Sequence, residues 1–593
     1  MAEDKKNFVY AQEEPFQGDG TTHSFETSSE SHKASSASSA SGWQNFKDGF
    51  KRVKLEEMDP SLTTAQKIAI ATARSPLQRH LKGRHLQMIA IGGAIGTGLF
   101  VGSGTALRTA GPAGILIGWG LIGTMIYCVV MSVGEMAVAY PVSGGFTTYA
   151  TRFLDESLGF AANYNYMLQW LVVLPLEIVS ASITVNYWGT PAKYRDGFVA
   201  LFYVVIVAIN MFGVKGYGEA EFVFSIIKVV TVIGFIILGV VLVCGGGPVG
   251  GYIGGSNWTS PGAFTGHTAG QRFKGVCTVF VTAAFSFSGS ELVGLASAET
   301  ADPRKSLPRA AKQVFWRITL FYLISLCLIG LLVPYNDSRL IGASSVDAAA
   351  SPFVIAITSH GIKGLPSVVN VVILIAVLSV GNCAVFASSR TMAALAEQGS
   401  MPQIFGYIDR KGRPLVGIIV TCIFGLLAFL AQSEKEGEVF NWLLALSGLS
   451  SFYSWLAICV CHLRFRRALT VQGRSTDELA FTSTVGVWGS VYGAGLIVIV
   501  LIAQFWIAVW PLGDSSSAAN FFEAYLSFPV LIAFYVFHKL WKRNWKFMIR
   551  AKDIDIDTGR RVVDIDILRQ EVAEERAMMA AKPFWYRTWY FWC

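Results

Sequence analysis

Stretches of apolar residues long enough to cross a lipid bilayer recur through most of this 593-residue chain. Crossing the roughly 30 Å hydrocarbon core takes about 20 residues of helix, and lipid offers no partner to an unpaired peptide group, so each such stretch must be helical. About twelve run near residues 86–107, 113–139, 162–188, 197–213, 218–244, 274–297, 313–334, 366–391, 414–432, 438–461, 487–510 and 523–541. We number them as segments one to twelve. Only 15% of the residues are charged and 52% are hydrophobic, whereas soluble domains carry about a quarter charged residues. The sequence therefore reads as an all-α, multi-pass membrane protein.

Residues 1–85 differ: Ser-rich and charged, with no sustained apolar run, they read as a mostly disordered tail. Nothing apolar near Met1 resembles a cleavable signal, so this tail is expected in the cytoplasm. The net charge of +8 is not a nucleic-acid footprint, because the basic residues flank the segments instead of sharing one soluble face. They indicate topology. Arg304, Lys305, Arg309 and Lys312, then Arg410, Lys411 and Arg413, then Arg464, Arg466, Arg467 and Arg474, all fall in loops on the side of the N-terminal tail. Lys539, Lys542, Arg543 and Lys546 follow segment twelve, placing residues 542–593 in the cytoplasm as a second tail. The sequons at Asn257 and Asn336 fall in loops on the opposite side, and Asn257 is a candidate glycosylation site. Eight of nine cysteines lie in or at the ends of segments, without Cys-x-x-Cys spacing, so no metal site or disulfide framework is expected.

Segment one is interrupted near its centre by Gly92, Gly93, Ala94, Ile95, Gly96, Thr97 and Gly98. Glycine lets a helix open without steric penalty, and opened backbone survives in a membrane only where it is buried in protein or lines a cavity. Small residues also permit close helix packing, which is the plainer explanation for one such run. Segment six carries a second irregular run, Phe285, Ser286, Phe287, Ser288, Gly289, Ser290 and Glu291. The two runs occupy matching places in two groups of five segments, 86–244 and 274–461, with 487–541 left as an additional pair. Paired interruptions of this kind mark an inverted repeat whose binding site lies at the repeat interface. Free N–H groups at the start of a half-helix suit a carboxylate, and unwound carbonyls suit an ammonium or a cation. A zwitterionic amino acid meets both requirements. The candidate binding residues are then Ile91, Gly92, Ala94, Gly96, Thr97 and Gly98 on one side, and Phe285, Ser286, Phe287, Ser288 and Gly289 on the other.

A charge near the bilayer centre costs at least about 2.5–3.5 kcal/mol, so Glu177 in segment three, Lys228 in five and Glu291 in six each need a partner, a proton or water. An ammonium on Lys228 can occupy a cation position and release a proton when desolvated, which favours proton over sodium coupling. A structural ion pair with Glu177, or snorkelling to an interface, is the alternative. For Glu291 the alternative is a capping role beside Ser290. Glu135 reads as a structural or gating anchor, and Arg317 and Arg390, near segment ends, read as interfacial. In segment eight, Ser388 is a candidate substrate contact and Asn382 reads as glue between helices.

The runs at residues 85–98, 140–146 and 285–292 resemble the fungal amino-acid permeases of the amino acid–polyamine–organocation superfamily, and the resemblance extends from about Trp43 to Cys593. Residues 175–182, 210–222 and 591–593 are similar to the general-specificity members of that family. The resemblance implies a LeuT-like fold of five-plus-five inverted repeats with two further C-terminal helices. It also implies proton-coupled uptake of a broad range of L-amino acids across the plasma membrane, by alternating access. Carried onto this sequence, residues 92–98 and 286–289 bind the substrate through backbone atoms. Lys228 matches a lysine at a cation site, Glu177 a carboxylate tied to substrate choice and coupling, and Ser388 a position near the substrate. The family further implies ubiquitin ligase machinery acting at the cytoplasmic tails and passage through the endosomal and secretory pathway.

Lys5, Lys6 and Lys33 are candidate ubiquitin acceptors, and Cys593 is a candidate for lipidation. The alternation Asp553, Ile554, Asp555, Ile556, Asp557 reads either as a diacidic export signal or as an amphipathic strand or helix end. No His/Cys cluster, nucleophile elbow or phosphate loop appears, so no enzymatic activity, metal or cofactor is expected beyond the coupling proton. The expected partners are L-amino acids, protons and membrane lipid, with no nucleic acid. An amino-acid-sensing receptor, signalling through the tails, is the alternative function.

Overall fold

The structure is a computed structural model that describes residues 48–53, 70–71, 75–77, 80–341, 351–432, 436–512, 516–560, 570, 574, 577–584 and 586–587. The chain divides into two units, Met1–Asp48 and Gly49–Cys593, and the architecture is that of the second. Lys5, Lys6, Lys33, Cys593 and the expected disorder over most of residues 1–85 lie outside the described residues.

All twelve apolar runs are helical apart from their breaks. Eight helices are long and apolar enough to cross a membrane: Gly102–Ala139, Glu156–Trp188, Gly213–Val243, Ala269–Glu299, Pro303–Leu332, Leu365–Glu397, Trp442–Val471 and Gly486–Val509. The remaining runs form shorter or broken helices, namely Gly83–Gly92 with Thr97–Phe100, Arg195–Met211, Leu415–Gly425 continued by Leu426–Gln432, and Ser527–Lys542. Among the described residues no strand forms, only isolated bridges.

Local chemistry sets the corners. Segments one and two are continuous through Gly111, whose φ of 77° precedes Pro112. A Cβ at Gly111 would sit 2.7 Å from the Ala263 carbonyl oxygen, so only glycine turns the chain here. Asp155 caps segment three by accepting from the Ser157 N–H at 3.2 Å, and its carboxylate also receives Lys539 Nζ at 2.9 Å. Thr268 and Gln271 form a reciprocal capping box at the start of segment six.

Segment five shows how a membrane inverts the usual amphipathic logic. Glu221, Ser225, Lys228, Val232 and Phe235 recur at helical spacing and are buried in the bundle. Val223, Val230 and Ile237 on the opposite face are 52%, 63% and 63% exposed. The polar stripe faces protein and the aliphatic stripe faces outward, the arrangement lipid requires.

Two arginines depart from the interfacial reading. Segment seven begins at Pro303 and segment eight runs on to Glu397, so Arg317 and Arg390 sit within longer helices than the apolar runs suggested. Both are buried. Arg390 holds Glu299 by two bonds, Nε to Oε1 at 2.9 Å and Nη2 to Oε2 at 3.4 Å. Removing one partner strands the other as a buried charge, so Arg390→Ala should destabilise the protein by about 3–5 kcal/mol. A lowered thermal midpoint of the detergent-solubilised protein checks this, with Arg339→Ala, an exposed position in the short helix Ser338–Ile341, as the near-neutral control.

At the end of the bundle where segment twelve stops, the chain returns across the helix ends. Tyr140 Oη donates to the Ile556 carbonyl at 2.7 Å, Arg152 Nε donates to that of Asp555 at 2.7 Å, and Gln472 Nε2 donates to those of Ala551 and Ile554 at 3.0 and 2.8 Å. Ile554 and Ile556 are buried, Asp553 and Asp557 are exposed, and Asp555 is half-buried beside Arg152, which is the amphipathic reading of this alternation. Burial pushes the Asp555 carboxyl up, but hydrogen bonds from Thr558 and the charge of Arg152 outweigh it and hold it below the usual range.

Candidate functional site

The first helix of segment one ends at Gly92, with the Gly93 N–H returning to the Ile89 carbonyl at 3.0 Å. The chain is then open until Thr97. Leu99 and Phe100 both donate to the Gly96 carbonyl, at 3.2 and 3.1 Å, leaving the Thr97 and Gly98 N–H groups at the open end of the new helix. Segment six breaks in the same manner. Its first helix ends at Phe287, Ser288 N–H reaches back to Ala284 at 2.9 Å, Gly289 adopts φ 94°, and the helix resumes at Leu292.

The two breaks touch. A Cβ at Gly98 would lie 2.6 Å from Ser286 Cα and 2.8 Å from its nitrogen, so the backbones meet with no room for a side chain. Between them is a small cavity lined by Ala94, Gly96, Thr97, Gly98, Phe285 and Ser288, together with Trp170, Val173 and Glu177 of segment three and Val380 of segment eight. Glu177 is fully buried; its Oε2 accepts from Thr97 Oγ1 at 2.5 Å, while Oε1 has no hydrogen-bond partner. Gln169 Nε2 donates to Ser288 Oγ and to Ser451 Oγ, both at 2.9 Å, tying segments three, six and ten beside the cavity.

Segment seven clasps both breaks. Tyr322 Oη lies 2.7 Å from the Ser286 carbonyl and 3.2 Å from that of Ala94. Arg317 Nη1 donates to the Ala90 carbonyl at 2.6 Å and Nη2 donates to Ser290 Oγ. A guanidinium at the carboxyl end of a half-helix opposes the dipole there. This clasp was not foreseen from sequence, because an isolated Arg near the start of an apolar run looks like an interfacial anchor.

The remaining predicted residues lie around this cluster. Ile91 and Gly92 belong to the helix before the break, Ser286 is pressed against Gly98, and Phe287 packs on Tyr322 with ring centroids 4.5 Å apart. Glu291 caps its own break: both carboxylate oxygens accept the Gly289 N–H at 3.2 Å, and Oε2 also accepts from Trp455 Nε1 at 3.1 Å. Ser388 faces segment nine, 2.8 Å from Thr421 Oγ1, and does not line the cavity. Asn382 accepts from Asn210 Nδ2 at 2.6 Å, joining segments four and eight. Glu135 is held by His462, Arg466 and the Ser483 N–H. Asn257 Nδ2 donates to the Leu331 carbonyl at 2.7 Å.

Lys228 is fully buried, but its carboxylate partner is Glu221 at 3.4 Å, not Glu177. Its second bond, to Ser379 Oγ of segment eight, is 2.8 Å. Glu221 sits seven residues, two helical turns, before Lys228 on the same face, a spacing that the sequence offered and that went unused. Among the described residues no cluster of His, Cys, Asp or Glu could hold a metal ion.

Comparison with known proteins places these features in context. The pattern of the family described as amino acid permease matches residues 85–551. The chain is 72% identical over 555 residues to a general amino-acid permease of Saccharomyces cerevisiae, covering 94% of this chain and 92% of that one. It is 64% identical over 563 residues to a general amino-acid permease of Candida albicans, covering 95% of each. A histidine permease of Saccharomyces cerevisiae is 54% identical over 519 residues, 87% of this chain and 86% of that one.

Proposed function

The chain belongs to the amino acid permease family, and from that we propose that it imports a broad range of L-amino acids across the plasma membrane by proton-coupled symport. The observation that carries this reading is the contact of two broken helices around a cavity that both line with backbone. Such a surface recognises what amino acids share. The Thr97 and Gly98 N–H groups, at the positive end of a half-helix, receive the carboxylate. Carbonyls at the end of the Ala269–Phe287 helix, with the unpartnered Glu177 oxygen nearby, receive the ammonium. Neither element reads the side chain, and that supports breadth.

The twelve helical runs are twelve crossings, arranged as two inverted repeats of five and a final pair, with both termini in the cytoplasm. Rocking of one helix group against the other exposes the cavity alternately to the two sides. Lys228, buried beside a titratable carboxylate, carries the coupling proton. The names of the similar proteins, two general amino-acid permeases and a histidine permease, agree with transport of amino acids.

Competition tests the breadth. In intact cells, uptake of labelled L-citrulline should be inhibited by acidic, basic, aromatic and aliphatic L-amino acids alike. Inhibition confined to one chemical class would overturn the broad range, and no uptake by surface-located protein would favour the receptor reading.

A further inference from the structure

We infer that Glu221 is the proton acceptor through which Lys228 discharges toward the cytoplasm, an inference that rests on the proposed coupling role of Lys228. Both side chains are fully buried, and both polar heads converge on one hydroxyl. Ser379 Oγ lies 2.8 and 2.7 Å from the two Glu221 oxygens and 2.8 Å from Lys228 Nζ, so it bridges the pair from segment eight. Ser225 Oγ adds a further bond to Glu221 Oε1 at 3.3 Å. Glu221 lies on the side of Lys228 nearer the Gly213 end, which the loop charges place at the cytoplasm.

The step is a simple exchange. The Lys228 ammonium gives one proton to the Ser379 hydroxyl, which passes its own proton to the Glu221 carboxylate. The charged pair becomes neutral, and Glu221 then releases the proton to water on the cytoplasmic side, restoring its carboxylate. Neutralisation weakens the charge-assisted hydrogen bonds by which the Ser379 hydroxyl of segment eight holds the two residues of segment five, so proton release and loosening of that contact occur together.

The groups facing this pair permit a relay. On segment five, Tyr217 lies one turn nearer the cytoplasmic end, its hydroxyl 3.3 Å from Cys383 Sγ of segment eight. Across from Gly218, the His85 ring of segment one is close enough that a Cβ at Gly218 would lie 3.2 Å from Nδ1. His85 Nε2 is 3.2 Å from Glu219, which also pairs with Arg84. Arg390 stacks over Phe386, which in turn stacks on Tyr217, but its guanidinium is committed to Glu299. On segment three, Glu177 is engaged by Thr97. Glu221 is therefore the carboxylate that Lys228 touches, and a titratable histidine stands beyond it.

The test uses full-length protein in liposomes with labelled L-citrulline as probe. Glu221→Gln should keep citrulline exchange across the membrane near the wild-type rate, yet lose about tenfold or more of the accumulation driven by an inward proton gradient. Glu221→Asp should restore much of that accumulation with a displaced pH profile, a result that a merely structural carboxylate would not give. Wild-type accumulation and pH profile in Glu221→Gln would overturn the inference. If that variant does not fold, Ser379→Ala decides in its place: slowed proton-driven accumulation with intact exchange supports the relay, and an unchanged pH profile overturns it. Lys228→Met in parallel separates the two claims. Normal proton-driven accumulation there overturns the coupling role itself, whereas its loss beside a normal Glu221→Gln overturns only the relay.

Discussion

Uptake should fall about a hundredfold or more when Gly98 is replaced by valine, although the protein still reaches the membrane. The reason is the contact at the centre of the site. A Cβ at position 98 would sit 2.6 Å from both Cα and Oγ of Ser286 and 2.8 Å from its nitrogen. A flexible side chain could move aside, but two of the three atoms met are backbone. The first half of segment six would have to retreat, widening the gap between the open N–H groups of segment one and the carbonyls of segment six. A substrate whose carboxylate and ammonium are a fixed short distance apart could no longer bridge both. Gly234→Ala is the matching control, since a Cβ there meets nothing within 4 Å, and it should transport normally. Initial uptake rates normalised to surface protein decide the matter. A Gly98→Val protein that transports within a few-fold of wild type would show that the breaks do not act as one site.

Lys228→Met should abolish accumulation against a gradient while leaving some downhill movement of substrate. Methionine has nearly the length of the lysine stem and no charge, so the volume between segments five and eight is kept. What changes is electrostatic. Glu221, fully buried, loses its cation and keeps the hydroxyls of Ser379 and Ser225. No ammonium is then left beside it to supply or take back a proton, and the site could not cycle. Uptake should lose its dependence on external pH, and imposed proton gradients should no longer concentrate the substrate. Retention of the normal pH dependence would refute the assignment of Lys228.

How far these features were legible in the sequence follows from the physics of each. The breaks were visible because glycine and serine runs interrupt stretches that are otherwise uniformly apolar, and their matching positions in the two groups of segments gave them meaning. The helical runs were visible for the same reason. Arg317, Arg390 and Glu221 were misread or passed over because each lies within a few residues of the end of its apolar run, where a charge looks interfacial. The helices extend beyond those runs, which puts the charges in protein-lined interior. The Lys228 partner was misassigned for a related reason. Two carboxylates were within reach of a long flexible stem, and only packing of segment five against segment eight, through Ser379, selects Glu221. Tyr322 and Ser286 show a third limit: a hydroxyl on one segment bonded to a carbonyl on another leaves no periodic trace. The alternating aspartates and isoleucines at residues 553–557 carried their period plainly, but the surface they dock against was assembled from residues as distant as Tyr140 and Arg152.

The central claim is that the paired breaks bind an amino acid whose entry is driven by protons. Accumulation of labelled L-citrulline by the purified full-length protein in liposomes tests it most directly. With acid outside and no sodium, citrulline should concentrate inside above its external level and leak back when a protonophore is added. No concentration under a proton gradient, or concentration under a sodium gradient at equal pH, would contradict it.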